Sequence, residues 1–349
     1  MQWMIYGANG YTGELIARKA LEQGLKPVLA GRSEGKVRPL AESLGLPWRT
    51  FSLDDPTEIR DGLDGIGLMV HCAGPFSATS APMIKGCLAA RAHYLDITGE
   101  IEVFEHAHGQ HAHARQAGIV VCPGVGFDVI PTDCVALKLK QLLPDAEHLS
   151  LGFDTSSGLS PGTARTVVEG LGKGCQVRRN GKIIDVPLGW RSRKIDFGRG
   201  ERNAMTIPWG DVSTAFYTTD IPNIDTWTPV PASAVWGARF MNLFRPLLRN
   251  GWVQGRLKGL VDRKVQGPNE QLRDKLPTWV WGEARNAAGE VRTVRIRTAN
   301  GYTLTVDGAL AVTRYLLDNQ VEGGSYTPAK LLGAELVEQL PGSQPFQIN

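Results

Sequence analysis

The chain has 349 residues, 42% hydrophobic and 21% charged, which is enough for two domains and excludes a staple-dependent module or a disordered chain. Lys plus Arg number 38 against 35 Asp plus Glu, so a net charge of +3 offers no footing for a nucleic-acid surface. Five cysteines without a C-x-x-C pair, no signal-peptide pattern and no run near ~18 apolar residues exclude a disulfide framework, a zinc site and an integral membrane segment; the cytoplasm is the expected location.

Met1 to Tyr6 form a short apolar run that ends in the glycine turn G-A-N-G-Y-T-G, and an amphipathic stretch with Leu15, Ile16, Ala20 and Leu21 follows. Further strands are predicted at Pro27–Ala30, Trp48–Leu53, Gly67–Ala73, His93–Ile97 and Gly118–Cys122. Helical patterns separate them at Lys36–Leu44, Thr57–Leu63, Thr79–Ala92 and Val103–Ala117. This alternation predicts an α/β fold of the Rossmann type, a doubly wound parallel sheet.

Past Pro123-Gly124 the pattern shifts to longer strands of alternating polarity, with hairpin signals at Asn180-Gly181 and Asn300-Gly301. A helical region spans Ala232–Arg263, interrupted by Pro246 and Gly251. Residues 125–307 are therefore expected to form a second α+β domain with a mostly antiparallel sheet. Helical periodicity returns over 308–349, and these helices are expected to complete the first domain, residues 1–124.

Glycine is the compositional outlier, at 41 of 349 residues or about 12% against a usual ~7%. Gly7, Gly10 and Gly13 fall in G-x-x-G-x-x-G between a predicted strand and helix, the context of a dinucleotide-binding turn. The first glycine permits the turn, the second lets backbone approach a pyrophosphate, and the third packs helix on strand. Asn9, Tyr11 and Thr12 belong to the same loop, and the helix N-terminus attracts phosphate. At the end of the second strand, where an acidic residue would select NAD, the chain has Arg32-Ser33 with Lys36 beyond, 19 or more positions past Gly13. A guanidinium, a hydroxyl and an ammonium there suit a 2'-phosphate, so NADP is the expected cofactor. Cys72, Ala73, Gly74, Pro75 and Phe76, at the end of the fourth strand, are expected to pass the ribose and nicotinamide half.

The motifs G-A-N-G-Y-T-G, A-G-R-S-x-x-K, C-A-G-P-F, H-Y-L-D-I-T-G-E and G-x-G-F-D-V-I-P-T-D, in this order over residues 1–134, resemble the saccharopine dehydrogenase-like oxidoreductases, which include trans-acting enoyl reductases. G-G-S-Y-T-P-A near the C-terminus is similar to that family as well. The resemblance implies an NADP-binding Rossmann domain, a second domain that forms a substrate cleft and often a subunit contact, and hydride transfer. A homodimer acting on a small-molecule substrate is the expected state.

Hydride transfer calls for a proton donor or acceptor near the nicotinamide, and acidic residues at strand ends are the natural candidates. Asp96, Thr98 and Glu100 follow the fifth strand; Asp128 and Asp133 follow the sixth. Asp96 and Asp128 match acidic residues of the family's motifs, although Asp and Thr before helices also serve as caps. Tyr94 is a further proton donor by type, or a packed core aromatic. Arg165, Arg178, Arg179, Arg191, Arg193 and Lys194 would suit a multi-carboxylate substrate or form a solvated basic face, the commoner use. His106, His108, His111 and His113 scatter around a helix rather than gathering metal ligands, and no metal is expected. Tyr326 and Lys330 have the Y-x-x-x-K spacing of short-chain dehydrogenases, but Pro328 lies between them. The apolar stretch from Val235 to Leu248 and Trp252 suits a channel wall, a membrane-facing surface, or more commonly a dimer interface or domain core. A contrasting class of function is a non-catalytic NADP-sensing or scaffold protein whose two domains close on the cofactor.

Overall fold

The computed structural model describes residues 1–155, 172, 174–248, 250–251, 253–256, 259 and 276–349. They divide into two compact units: Met1–Ile130 with Leu304–Leu332, and Pro131–Thr303 with Gly333–Asn349.

In the first unit the apolar runs of the sequence become β1 (Trp3–Tyr6), β2 (Val28–Gly31), β3 (Trp48–Thr50), β4 (Leu68–His71), β5 (His93–Asp96) and β6 (Val120–Cys122). With Gly324–Ser325 they form a seven-stranded sheet in the order β6-β5-β4-β1-β2-β3, the Gly324–Ser325 strand lying outside β6. Every pairing in it is parallel, as expected. Helices α1 (Tyr11–Glu22), α2 (Glu34–Leu44), α3 (Pro56–Gly62), α4 (Phe76–Ala90), α5 (Ile101–Gly109) and α6 (His111–Ala117) are the crossovers. A helix drawn from Val103 to Ala117 is in fact two, broken at Gln110.

Two apolar layers flank the sheet because β1, β2, β4, β5 and β6 are buried on both faces. Ile5, Leu29, Val70 and Leu95 point to one layer, which holds Ile16 and Ala17 of α1 and Leu310 and Val312 of the helix Gly301–Asp318. Met4, Met69, Tyr94 and Val121 point to the other.

The second unit opens with α7 (Ile130–Leu142) and contains β7 (His148–Thr155), β8 (Cys175–Arg179), β9 (Lys182–Val186), β10 (Ser192–Asp196), β11 (Glu201–Ile207), β12 (Asn223–Pro229), β13 (Thr278–Arg285) and β14 (Val291–Thr298). With Gln347–Ile348 they form a nine-stranded sheet among the described residues, mostly antiparallel as expected; β12 and β7 run parallel. Asn180 and Gly181 form the β8–β9 hairpin turn with φ of 48° and 76°, the left-handed pair that this dipeptide favours.

Asn300-Gly301 is not a hairpin. Asn300 Oδ1 accepts from the Tyr302 N–H and starts the helix Gly301–Asp318, because the residue types that favour tight turns also favour helix entry. The expected return of 308–349 to the first unit also needs correction: it ends at Leu332, and Gln347–Ile348 pairs with β14 of the second unit.

Three of the basic residues expected to form a solvated face, Arg178, Arg179 and Arg193, do not. Arg178 is 3% exposed, donates to the Val212 and Gly181 carbonyls and stacks 4.2 Å from the Phe216 ring centre. Arg179 pairs with Asp225, and Arg193 lies over both Trp227 and Trp281 while bonding Glu283. Arg191 and Lys194 are exposed; Arg165 lies outside the described residues.

Close packing in this sheet depends on Gly152 of β7, where a Cβ would sit 2.5 Å from the Trp227 carbonyl oxygen and 3.1 Å from the Phe197 ring. Gly152→Ala is expected to lower stability by about 1–3 kcal/mol, measured as a fall in the urea midpoint at unchanged slope.

Candidate active site in the N-terminal unit

All strands of the first sheet run parallel, so the carboxyl ends of β1, β2, β4, β5 and β6 share one edge. The sequence-predicted cofactor and catalytic residues are all on the segments leaving that edge.

Gly7 leaves β1 with φ +83°, and a Cβ there would meet the Ala73 N at 2.7 Å and the Cys72 carbonyl carbon at 2.8 Å. Only a glycine lets the turn pass so close to the end of β4. At Gly13 a Cβ would stand 2.4 Å from the Gly7 oxygen, so this glycine seats α1 against the turn. Gly10, the N-cap of α1, would meet only the Gly7 oxygen within 4 Å, at 3.2 Å. Its other side is open, as close approach of a phosphate requires. Asn9 and Tyr11 are exposed and Thr12 is half-buried beside it, while the Asn9 side chain packs against Gly31 at the end of β2.

Arg32, Ser33 and Lys36 follow β2 and are exposed. Ser33 is the extended N-cap residue of α2, so Lys36 comes one turn later. Tyr6, whose hydroxyl donates to the Phe51 carbonyl at 2.8 Å, lies under this end; burial pushes it up to about 12.

The β4 end is held from both sides. The Thr79 hydroxyl donates to the Ala73 carbonyl at 2.6 Å and meets His71 Nε2 at 2.9 Å, so the ring carries its proton on Nε2. Burial drives His71 down to about 3 and keeps it neutral. Gly74-Pro75, joined by a cis peptide, leads into α4, and the Glu100 carboxylate accepts from the Phe76 and Ser77 N–H groups at 3.0 and 2.8 Å. Cys72 is a half-buried thiol that burial and the Asp96 charge push up to about 12.

Asp96 at the end of β5 is completely buried. Its Oδ1 accepts from the Thr98 N–H at 3.0 Å and the Gly124 N–H at 2.8 Å, and its Oδ2 accepts from the Tyr94 hydroxyl at 2.7 Å. Burial pushes its carboxyl up to about 6, although the three donors pull it the other way. Thr98 is buried and its hydroxyl accepts from the Glu100 N–H at 3.1 Å at the entry to α5. Asp128 lies on the loop after β6, half-buried, and burial pushes it up to about 7. Its carboxyl packs on Gly99, where a Cβ would lie 2.7 Å from Oδ2.

The structure thus brings Asp96, Thr98, Glu100 and Asp128 to one group of loops. Tyr94 is buried and bonded to Asp96. Asp133 sits in the first turn of α7 in the other unit, where the Thr218 hydroxyl donates to it. His108 and His111 pack on Ser325, and the Tyr326 hydroxyl donates to the Glu322 carbonyl. Sequence reasoning missed Gly99 and Thr305. Thr305 accepts from the Phe127 N–H beside Asp128, across 178 positions, which no local pattern signals. Gly99 was visible in the T-G-E motif.

Residues 3–122 match the model of the saccharopine dehydrogenase NADP-binding domain. The N-terminal segment is thus similar to that domain. Among curated proteins, a saccharopine dehydrogenase-like oxidoreductase of Arabidopsis thaliana is 30% identical over 192 residues, covering 48% of this chain and 42% of the relative. The Homo sapiens saccharopine dehydrogenase-like oxidoreductase is 24% identical over 202 residues, 50% and 47% of the two chains. A trans-acting enoyl reductase of Mycobacterium bovis is 28% identical over 144 residues, 39% and 34%. The chain therefore spans less than half the length of each of these relatives. The fold of the saccharopine dehydrogenase (L-Glu forming) of Saccharomyces cerevisiae is similar, with a TM-score of 0.67 at 11% identity over 100% of this chain and 99% of that one. Homospermidine synthase of Legionella pneumophila, solved in complex with NAD, has a TM-score of 0.62 at 12% identity, covering 100% and 91%. The chain has the saccharopine dehydrogenase fold, and its first 122 residues are similar to the nucleotide-binding domain of that oxidoreductase family.

Asp96 links this site to pH. It loses its proton near 3.8 when unfolded and near 6 when folded, so in between the folded state retains a proton that the unfolded state has lost. Its contribution is complete below pH 3.8 and is lost as pH rises through about 6. Asp96→Asn, which cannot titrate, is expected to flatten that part of the stability profile, read from urea midpoints across the range.

Proposed function

We propose that this protein is an NADP-dependent oxidoreductase transferring hydride to or from a C=C, C=O or C=N bond of a small or acyl-type substrate. The observation that carries the proposal is the placement, on loops at the same end of one parallel sheet, of a side-chain-free glycine turn and a half-buried carboxyl pushed up to about 7. NADP, when bound, supplies or takes the hydride. The bare backbone of Gly7 and Gly10 lets a pyrophosphate approach the start of α1, so the turn fits a dinucleotide. Arg32, Ser33 and Lys36 hold the 2'-phosphate, and the 72–76 segment lines the path of the ribose and nicotinamide half.

Asp128 is the proton donor or acceptor in this reading, since its carboxyl titrates at about 7, where both forms are populated. Asp96 positions it: by gripping the Gly124 N–H it fixes the start of the loop that carries Asp128. Thr98 and Glu100 position the neighbouring segments. The reading includes a homodimer, to be measured by sedimentation, and the cytoplasm, which suits five free thiols.

Calorimetric titration with NADPH and NADH tests the cofactor. Arg32→Ala is expected to weaken NADPH binding about ten- to hundredfold, the range of a charge-assisted contact, and to leave NADH binding nearly unchanged. Failure to bind either dinucleotide sinks the proposal, and tight binding without turnover on a panel of carbonyl, imine and enoyl substrates moves the protein to an NADP-sensing role.

In the reductive direction, protonated Asp128 is the active form, so kcat/KM is expected to fall about tenfold per pH unit above about 7. Asp128→Asn is expected to lose that limb and about 10²- to 10⁴-fold in rate at pH 7, as measured by NADPH oxidation.

A further inference from the structure

We propose that the outward face of residues 236–247 seats this protein on an anionic lipid surface. This inference stands independently of the oxidoreductase proposal.

The helix Ala232–Met241 continues through a tight turn at Asn242–Phe244 into Arg245–Leu248. Trp236, Phe240, Leu243, Phe244 and Leu247 recur at i, i+4, i+7, i+8 and i+11, a single helical stripe. In an ordinary surface helix that stripe faces the core. Here it faces out, with exposures of 69%, 60%, 72%, 43% and 59%, while Val235 and Leu248 are buried on the opposite side. The domain-core use expected from sequence is thus excluded for these residues, and Trp252 lies outside the described ones.

The outward orientation is fixed by polar contacts. Asn242 Oδ1 accepts from the Leu188 N–H at 2.9 Å, and its Nδ2 donates to the Leu188 carbonyl at 3.0 Å. Arg239 Nε donates to the Gly189 carbonyl at 3.1 Å. These bonds hold the helix on the β9–β10 connection and leave Trp190, 44% exposed, on that connection. Rotating the stripe inward would break all three.

Charge selects the occupant. From Thr226 to Val261 the chain has no Asp or Glu, whereas Arg239, Arg245, Arg249, Arg256 and Lys258 fall within that span. Trp, Phe and Leu on one face, within a stretch of chain that carries basic and no acidic residues, match an interfacial helix, whose apolar side sinks ~5–10 Å into the headgroup and acyl boundary. Two copies meeting face to face would offer no acidic residue from this stretch to its basic ones. An anionic bilayer instead offers a continuous acidic layer over an apolar interior, complementary to both parts of the face. No helix among the described residues is long and apolar enough to cross a membrane, so the contact lies on the surface.

The test is co-sedimentation of the full chain with vesicles of phosphatidylcholine alone and of phosphatidylcholine with phosphatidylglycerol, at low and high salt. Binding is expected to be at least about tenfold stronger to the anionic vesicles and to weaken in salt. Phe240→Ser with Leu243→Ser is expected to abolish it, and Arg256→Gln to weaken it by about fivefold. Should the serine variant fail to fold, wild-type tryptophan quenching by brominated acyl chains, reduced in Trp236→Phe, gives the same answer. The proposal is overturned by no binding, by equal binding to neutral vesicles, by absent quenching, or by a wild-type dimer that the serine variant splits into monomers.

Discussion

Asp96 is the point at which the candidate site is tied to the sheet. A carboxyl with no exposure is costly to ionise, and here three donors reduce that cost: a tyrosine hydroxyl from its own strand and two backbone N–H groups, one from its own loop and one from the loop after β6. Removing the carboxyl would leave all three donors buried without an acceptor, which is dearer than the loss of any one bond. The alignment of β5 with β6 continues past the strand ends because Val125 N–H also donates to the Asp96 carbonyl. Every loop residue proposed to meet a substrate from this side, Asp128 above all, inherits its place from that junction.

A second constraint is the absence of side chains where β1, β4 and α1 converge. Backbone at Gly7 and Gly13 approaches backbone at Ala73 and Gly7 itself closely enough to exclude even a methyl group. The glycine turn is therefore a packing solution as well as the proposed binding surface, and the two uses reinforce each other: the residues that let helix and strands close together leave the start of α1 free of side chains at Gly10. Glu100 does similar work for α4 by capping it from another loop, so the start of that helix is satisfied within the protein.

The parts of this molecule that were legible in the sequence are those whose cause is local. The alternation of apolar runs and 3.6-residue periodicity marks the parallel sheet, and the glycine spacing marks its turn, because the residues that build each feature are neighbours in the chain. Asn180-Gly181 forms its hairpin for the same reason. Asn300-Gly301 shows the limit: the same dipeptide enters a helix once its downstream residues bury Leu304, Val306 and Leu310 in a distant core. The roles of Asp96 and Arg178 were illegible because their partners are supplied from 28 and 34 positions away. A run of arginines looks solvated until aromatic rings and carbonyls from other strands are found around it. Chemistry by residue type, Asp at a strand end, was visible; which aspartate is sealed and which is half-open was not.

The passage of the chain between units has a kinetic consequence during synthesis. Part of one face of the first sheet is covered by Val306, Ala309, Leu310, Val312 and Leu316, which follow Ile130 only after most of the second unit has been made. At ~5–20 residues per second, the 173 intervening residues between Ile130 and Leu304 occupy a ribosome for roughly 10–35 s. For that interval the nascent sheet has six of its seven strands and the helices of residues 11–44, but the apolar layer around Ile5, Leu29 and Val70 lacks its last helix and is partly open to water. Such a layer is a binding site for holdase chaperones, and the vulnerability of this protein to aggregation is concentrated in that window rather than in its finished form.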